Sequence, residues 1–296
     1  MTYVTRENIT DQVLEVFERT PDPRLRVVMQ SLVKHLHAFI REVEPSDEEF
    51  EKGCEFVVGL GKNTNEKKNE AILASDILGA STLITLINNV KRAESAGKYQ
   101  TESALLGPFW RKNAPVYEPG SNISHGPESS ALDQLFEVTG HVRDAQGQPI
   151  EGAEVDVWQA SPAGLYENQD EHQADMNLRG RFTTNHQGEF FYKTVKPAGY
   201  PIPVDGPVGQ LLKHQHRHTM RPAHLHFIAI AQGYRVLATQ IFDAQDPCIN
   251  SDVVFGAVGS LVRQFEPDPN QVNSWQLHVD IMLEPGETRI PHPPLS

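Results

Sequence analysis

The run Arg221-Pro-Ala-His224-Leu-His226-Phe, followed by Ile228 and Ile230, concentrates side chains suited to chemistry. In a strand, residues two apart share a face, so His224 and His226 present neighbouring imidazoles that can bind one metal ion. Taken alone, the pair reads equally well as polar residues at the edge of a sandwich. The usual companions of a zinc or iron(II) site are missing: no HExxH, no cysteine pair, no carboxylate beside the histidines. Two tyrosines instead occupy loop contexts, Pro162-Ala-Gly-Leu-Tyr166 and Lys196-Pro-Ala-Gly-Tyr200-Pro-Ile-Pro203. Each follows a glycine closely, whereas a core tyrosine sits more naturally within an alternating strand, as Tyr192 does. Either tyrosine reads equally as a packed or exposed loop aromatic. Lys213-His214-Gln-His216-Arg-His218 brings the total to five histidines between 214 and 226, a density that suits metal binding. Of these, His214 and His216 read as polar loop residues and His218 as a supporting one.

Two regions of different periodicity would have to position these groups. The first hundred or so residues read as helix. After the Pro21-Asp22-Pro23 breaker, Leu25, Val28, Met29, Leu32, Val33, Leu36, Phe39, Ile40 and Val43 recur at three- and four-residue steps and form one apolar stripe. The stripe is apolar enough for a dimer interface, and an intramolecular core explains it equally well. Pro45 and Ser46 end that helix and start another, with Glu49 placed for a capping box. Phe50, Phe56, Val57 and Leu60 predict that this second helix is half buried. A short helix over 10–18 precedes the stripe. A polar stretch from Lys62 to Glu70 leads into Ala71–Val90, which suits one packed helix.

After Leu105 the pattern changes to short alternating runs between turn residues. Phe136, Val138, Gly140 and Val142 form one such run, and Ala153, Val155 and Val157 another. Phe190 and Tyr192 follow, then Trp275, Leu277, Val279 and Ile281 near the end. Such spacing predicts a β-sandwich, not a parallel α/β sheet. The fold class is therefore mixed α and β, with an N-terminal helical domain over 1–104 and a β-sandwich catalytic domain over 105–296. Gly107–Pro127, with four prolines, reads as a connector wrapped over the sandwich.

Composition narrows the class further. A net charge of −13 argues against a general binder of nucleic acid or anionic membrane, which needs clustered Lys and Arg. Cys54 and Cys248, far apart and without CxxC spacing, give neither a disulfide framework nor a Cys-rich zinc site. The start, MTYVTRENITDQ, lacks the pattern of a secretory signal, and no apolar run reaches bilayer length. A cytoplasmic location is expected.

At this point several segments fall into a known order: Leu105-Leu-Gly-Pro-Phe109, Asp156-Val-Trp158, Gly164-Leu-Tyr166, Leu178-Arg-Gly180, Gly199-Tyr200-Pro, Gly206-Pro207, Arg217-His218, the histidine pair with Arg221, and Thr239-Gln240. In that order the chain resembles the intradiol ring-cleaving dioxygenases from its N-terminal helices to its last strand. The resemblance implies a homodimer with a helical linker domain at its axis and a sandwich holding one non-haem Fe(III) per chain. Tyr166 and His224 would be equatorial ligands, and Tyr200 and His226 axial ones. Phenolates are hard anionic donors that suit Fe(III) acting as a Lewis acid. An aromatic diol would displace Tyr200, which can accept a proton as it leaves, and O₂ would open the ring to a dicarboxylate. Arg221 would stabilise the electron-rich ring through its planar, permanent charge, and Gln240 would support it. Family members also hold a lipid in a helix-lined tunnel, so a lipid at the dimer axis is a further expectation.

Within the family, Tyr200-Pro-Ile-Pro203, Asp205-Gly-Pro-Val-Gly209 and Asn250-Ser-Asp-Val-Val-Phe-Gly256 resemble the branch acting on hydroxyquinol (1,2,4-trihydroxybenzene). That substrate would give 3-hydroxy-cis,cis-muconate, the enol form of maleylacetate. The alternative is cleavage of catechol or a substituted catechol. Leu73 and Asp76 match pocket positions one helical turn apart, the second commonly proline in the catechol branch. An aspartate there could accept a hydrogen bond from a third ring hydroxyl, or could simply solvate a helix surface. Leu105, Leu106, Gly107, Pro108, Phe109, Ile202 and Pro203 would form the remaining walls. Leu106 and Cys248 depart from aromatic residues more often found in the branch, and both could widen the pocket. Outside this class stand a binding or scaffold module that has kept the fold without catalysis, and a zinc hydrolase on the same ligands. Retention of all four ligands weighs against the former, and two phenolates against the latter.

Overall fold

The computed structural model describes residues 3–65, 68–96, 100–125 and 135–293. Glu66 and Lys67 of the polar stretch, and Gly126 and Pro127 of the connector, lie outside them. The chain divides into two compact units, Met1–Val58 and Gly59–Ser296. The change from helix to strand expected near residue 105 thus falls inside the second unit.

In the first unit, α1 (Ile9–Phe17) packs on α2 (Pro23–Val43), with Thr10 Oγ1 3.0 Å from His37 Nδ1. Asp22 caps α2 by accepting from the backbone N–H of Arg24 and Leu25, and Pro23 occupies the first turn, where its missing N–H costs nothing. The expected capping box is formed at the start of α3 (Asp47–Lys62): Ser46 N–H donates to Glu49 Oε2 at 2.8 Å, and Glu49 N–H to Ser46 Oγ at 3.3 Å. The apolar stripe of α2 is helical but uncovered in the single chain. Only Val33 is buried, while Leu32, Phe39 and Val43 are each more than half exposed. Phe50 and Val57 of α3 are also exposed, at 65% and 66%, so the expected half-burial of that helix does not extend to them.

In the second unit the single helix expected over Ala71–Val90 is two, α4 (Glu70–Ile77) and α5 (Ala80–Ala96), meeting at 70°. The break falls at Leu78-Gly79, where Gly79 takes a φ of +72° and ends α4 as a left-handed cap. No single helix among the described residues is long and apolar enough to cross a membrane.

The remaining chain folds as two sheets. β1 (Leu135–Asp144), β4 (Glu189–Val195), β10 (Glu266–Pro267) and β11 (Ser274–Leu283) form one, in the order β10-β11-β1-β4. β2 (Glu154–Gln159), β3 (Arg179–Thr183), β7 (His224–Ile230), β8 (Leu237–Asp243) and β9 (Val262–Arg263) form the other, in the order β3-β2-β7-β8-β9. β1 pairs with β11 and β8 with β9 in parallel, and the other pairs are antiparallel. Alternation sends Phe136, Val138, Val142, Phe190, Tyr192, Leu277, Val279 and Ile281 inward from the first sheet, to meet Val155, Val157, Leu225, Phe227 and Ile241 of the second. Full burial of each such side chain contributes about 1.5–3 kcal/mol. Residues 107–125 do wrap the sandwich: Tyr117 N–H donates to Arg181, Ile123 N–H to Lys193, and Leu178 N–H to Ile123. Upstream, residues 102–105 run along β8, held by Ala104 N–H to the Ala238 carbonyl and Thr239 Oγ1 to the Glu102 carbonyl.

Candidate metal centre and ring pocket

Because β7 is covered on both faces, its even-numbered residues can be polar only if something specific receives them. Leu225 and Phe227 enter the sandwich core, while His224 and His226 point outward and are still only 2% and 1% exposed. What covers them is a ring of aromatics. Trp158, opposite His226 in the β2–β7 register, stacks on it at 4.4 Å with an 11° interplanar angle. Phe242, opposite His224 in β8, lies 5.1 Å from that imidazole. Both tyrosines complete the enclosure, with ring centroids 5.1 Å apart, edge to face, and Phe109 lies against Tyr166 at 4.6 Å.

Two loops deliver the tyrosines. Tyr166 follows a tight turn in which Gly164 adopts φ +76°. A Cβ there would lie 2.9 Å from the Gly199 carbonyl oxygen, so glycine lets the Tyr166 and Tyr200 loops touch. Tyr200 is not in a free loop: it opens the two-residue strand β5 (Tyr200–Pro201), paired with β6 (Met220–Arg221) so that Tyr200 faces Arg221. Gly107 plays a similar part beside His226. Its φ is +74°, and a Cβ would come within 3.2 Å of the imidazole Cε1.

The four donors converge. His226 Nε2 lies 3.1 Å from His224 Nε2 and 3.1 Å from Tyr166 Oη. Arg221 Nη1 lies 3.4 Å from both Tyr200 Oη and His224 Nε2. His224 Nδ1 donates to the Pro222 carbonyl at 2.7 Å, which fixes the tautomer and turns the Nε2 lone pair toward the centre. Burial, reinforced by the charge of Arg221, lowers the His224 pKa to about 3 despite the Pro222 bond. Burial, then His224, lowers that of His226. Both imidazoles are therefore neutral, as ligands must be. Burial, then the neighbouring Tyr200, raises the pKa of Tyr166 well above that of a free phenol. A phenolate at Tyr166 is therefore disfavoured unless a further cation compensates it. Two neutral imidazoles and two phenol oxygens, with His226 Nε2 spaced from His224 Nε2 and Tyr166 Oη as donors sharing one ion about 2 Å away, fit a hard trivalent ion such as iron(III).

Arg221 is anchored from the far side. Its Nε and Nη2 donate to the two carboxylate oxygens of Asp252 at 3.2 and 3.1 Å, and Nη2 also donates to Gln240 Oε1 at 3.1 Å. Gln240 in turn donates from Nε2 to the Leu105 carbonyl at 2.6 Å. Burial lowers the pKa of Arg221, but the charge of Asp252 more than offsets this, and the net shift is upward. Burial likewise pushes the Asp252 pKa up, and the charge and hydrogen bonds of Arg221 more than reverse that shift. Asp252 holds the arginine fork bidentately, a role that the segment Asn250–Gly256 does not signal in the sequence.

Beside this centre lies a narrow cleft. Leu73, Asp76, Leu105, Gly107, Pro108 and Phe109 line one part of it. Tyr200, Ile202, Pro203, Arg221 and Val254 line the rest, Val254 being absent from the expected set. Leu106 does not line it, and packs instead against the aromatic cluster of Phe109, Trp110, Trp158, Tyr166 and Tyr200. Asp76 is 6% exposed, with its pKa raised by burial against the opposing hydrogen bond from Ser81. The other histidines are elsewhere: His214 ends α6 (Pro207–His214), His216 is exposed, and His218 Nδ1 accepts from the Met220 N–H.

Known proteins resemble this chain over most of its length. Residues 105–285 match a family model described as dioxygenase, and residues 22–96 one described as catechol dioxygenase N terminus. Hydroxyquinol 1,2-dioxygenase of Rhizobium sp. (strain MTP-10005) is 42% identical over 265 residues, covering 89% of this chain and 87% of that one. Catechol 1,2-dioxygenase of Candida albicans is 38% identical over 250 residues, covering 84% and 80%. The crystal structure of hydroxyquinol 1,2-dioxygenase from Pseudomonas putida DLL-E4 superposes with a TM-score of 0.84 at 37% identity, covering 95% of this chain and 99% of that one. By sequence and by fold, the chain belongs to the intradiol ring-cleaving dioxygenases.

Proposed function

We propose that this enzyme cleaves hydroxyquinol between its two adjacent hydroxyls, yielding 3-hydroxy-cis,cis-muconate, with one iron(III) held by Tyr166, Tyr200, His224 and His226. The observation that carries the substrate assignment is Asp76, a carboxylate in an otherwise mostly apolar pocket wall within reach of the same cavity as Tyr200 and Arg221. A catechol leaves such a group without a ring partner, whereas a third hydroxyl satisfies it. The hydroxyquinol dioxygenases among its relatives support the same reading.

Bound iron(III) supplies Lewis acidity toward the two adjacent ring hydroxyls. The protein's own groups do the rest. Tyr200 Oη receives a substrate proton as the ring enters. Arg221, fixed by Asp252 and Gln240, stabilises the negative charge that the ring acquires, without having to reorganise. Leu73, Phe109, Ile202 and Pro203 hold the ring flat and exclude water.

We further assign residues 1–104 to a linker and dimerisation domain, residues 105–296 to catalysis, and the protein to the cytoplasm. The uncovered α2 stripe supports a homodimer, and a lipid bound along it fits the same apolar face.

Oxygen uptake by the iron-loaded protein with hydroxyquinol and with catechol tests the assignment, with Tyr200→Ala as control because hydroxyquinol also oxidises unaided. The expected result is rapid uptake with hydroxyquinol, little with catechol, and near-background rates in the variant. Asp76→Leu should lower the preference for hydroxyquinol at least about tenfold. A wild type that prefers catechol, or a variant with unchanged preference, would rule out the role given to Asp76.

A further inference from the structure

The outward face of the four-stranded sheet, opposite the ring pocket, carries a second convergence of donor atoms. Parallel pairing of β1 with β11 sets Thr139 beside His278 and His141 beside Asp280. Antiparallel pairing of β1 with β4 sets Glu189 on the other flank of His141. Alternation turns Val138, Val142, Leu277 and Val279 into the core, and so turns these polar side chains outward.

His141 Nδ1 lies 3.1 Å from Asp280 Oδ1, and His278 Nε2 lies 3.3 Å from the same oxygen. One donor atom from each of the three residues falls within 4.8 Å of the others. Donors bound tetrahedrally to zinc at about 2.0–2.1 Å are about 3.3 Å apart, so two edges of the triangle already have that length. The outer nitrogen of the His278 ring also meets oxygen, and a carboxylate stands near, beyond hydrogen-bond distance, that of His141. His278 Nδ1 lies 2.9 Å from Thr139 Oγ1, and His141 Nε2 lies 3.7 Å from Glu189 Oε1. A ligating imidazole commonly gives its second N–H to such an acceptor, which orients the ring and raises its basicity.

We infer that His141, His278 and Asp280 form a binding site for a zinc-like divalent cation, separate from the ring-cleavage centre. Two imidazoles and one carboxylate disfavour magnesium and calcium, which take oxygen shells. The same triad also accepts iron(II), but zinc lies above iron(II) in intrinsic affinity for nitrogen donors. With three protein ligands, the fourth position falls to water on this open face. The bound ion would join β11 to β1, strands whose paired residues His141 and Asp280 are 139 positions apart in sequence. Its effect is to stabilise the sheet, since an ion that binds only the folded chain raises the unfolding midpoint.

The test uses tag-free, iron-loaded protein dialysed against buffered Zn²⁺, with metal content measured by mass spectrometry and unfolding followed with and without zinc. One zinc per chain in addition to retained iron, with a raised midpoint, is the expected result. His278→Ala and Asp280→Asn lie on an exposed face and should fold, keep their iron and cleave substrate normally, while binding zinc at least about tenfold more weakly. Thr139→Val should weaken zinc binding by a smaller factor. Equal zinc uptake by wild type and both variants, or none by any of them, would overturn the site and leave the contacts as ion pairs. Zinc uptake matched by loss of iron would assign the zinc to the ring-cleavage centre instead.

Discussion

At the residue scale, the centre depends on an arginine whose charge would be costly without its partners. Arg221 and Asp252 are only 3% and 5% exposed, and the guanidinium makes two hydrogen bonds to that carboxylate. Removing one member of a buried pair typically costs about 3–5 kcal/mol, because the other charge is left uncompensated. Asp252→Asn keeps the shape and one acceptor while removing the charge. The variant should retain its iron but lose about 10- to 100-fold in kcat/KM, as Arg221 leaves its position beside Tyr200. Steady-state kinetics alongside iron analysis checks this, and unchanged kcat/KM would deny Arg221 its role toward the ring. The sequence disclosed the histidine pair because strand geometry forces residues two apart onto one face. It did not disclose Asp252, which reaches Arg221 from 31 positions away through tertiary folding alone. Nor did it separate Leu105, which lines the pocket, from Leu106, which packs beneath it. Neighbours along the segment face different ways, and both are leucine.

At the scale of elements, β2 shows how a strand beneath the site sets the protein's response to pH. Asp156 points outward from β2, is 4% exposed, and accepts a hydrogen bond from Trp110 Nε1 at 3.0 Å. Burial raises its pKa from 3.8 to about 7, outweighing the Trp110 bond. Between those values the folded chain keeps a proton that the unfolded chain releases. Stability is therefore fully present below about pH 4 and is lost as pH rises through about 7. The whole gap corresponds to about 4 kcal/mol as an order of magnitude. Asp156→Asn preserves the carbonyl acceptor and cannot titrate, so its unfolding midpoint should gain on the wild type as pH rises from 4.5 to 7.5. A constant difference across that range would mean that Asp156 ionises as freely in the folded chain as in the unfolded one. Strand alternation was readable in Phe136, Val138 and Val142 because one face meets a core and the other does not. The break in the helix expected over 71–90 was not readable for the opposite reason. α4 buries Leu73, Ala74, Asp76 and Ile77, so no clean polar face marks its end, and only Gly79 signals the turn.

At the scale of the whole molecule, the apolar stripe of α2 is the surface that the proposed homodimer would cover. Leu25, Leu32, Leu36, Phe39 and Val43 lie on a continuous helical face and are 48–56% exposed. Solitary exposed apolar residues are ordinary, but a contiguous row of this size marks an interaction surface. The stripe itself was legible in the sequence. Its exposure was not, because periodicity states which residues share a face and never what covers that face. If a second copy covers it, paired charges at its centre should separate the subunits without reaching the metal centre, whose ligands all come from Tyr166 onward. The double variant Leu32→Asp with Phe39→Asp should sediment as a monomer under conditions where the wild type is a dimer, since burying two unpaired carboxylates in an apolar interface is strongly unfavourable. Iron content per chain should be unchanged in that monomer, because the four proposed ligands converge within one chain. A variant that still dimerises would move the contact off this face. A monomeric variant that also loses its iron would show that the centre needs the assembled pair.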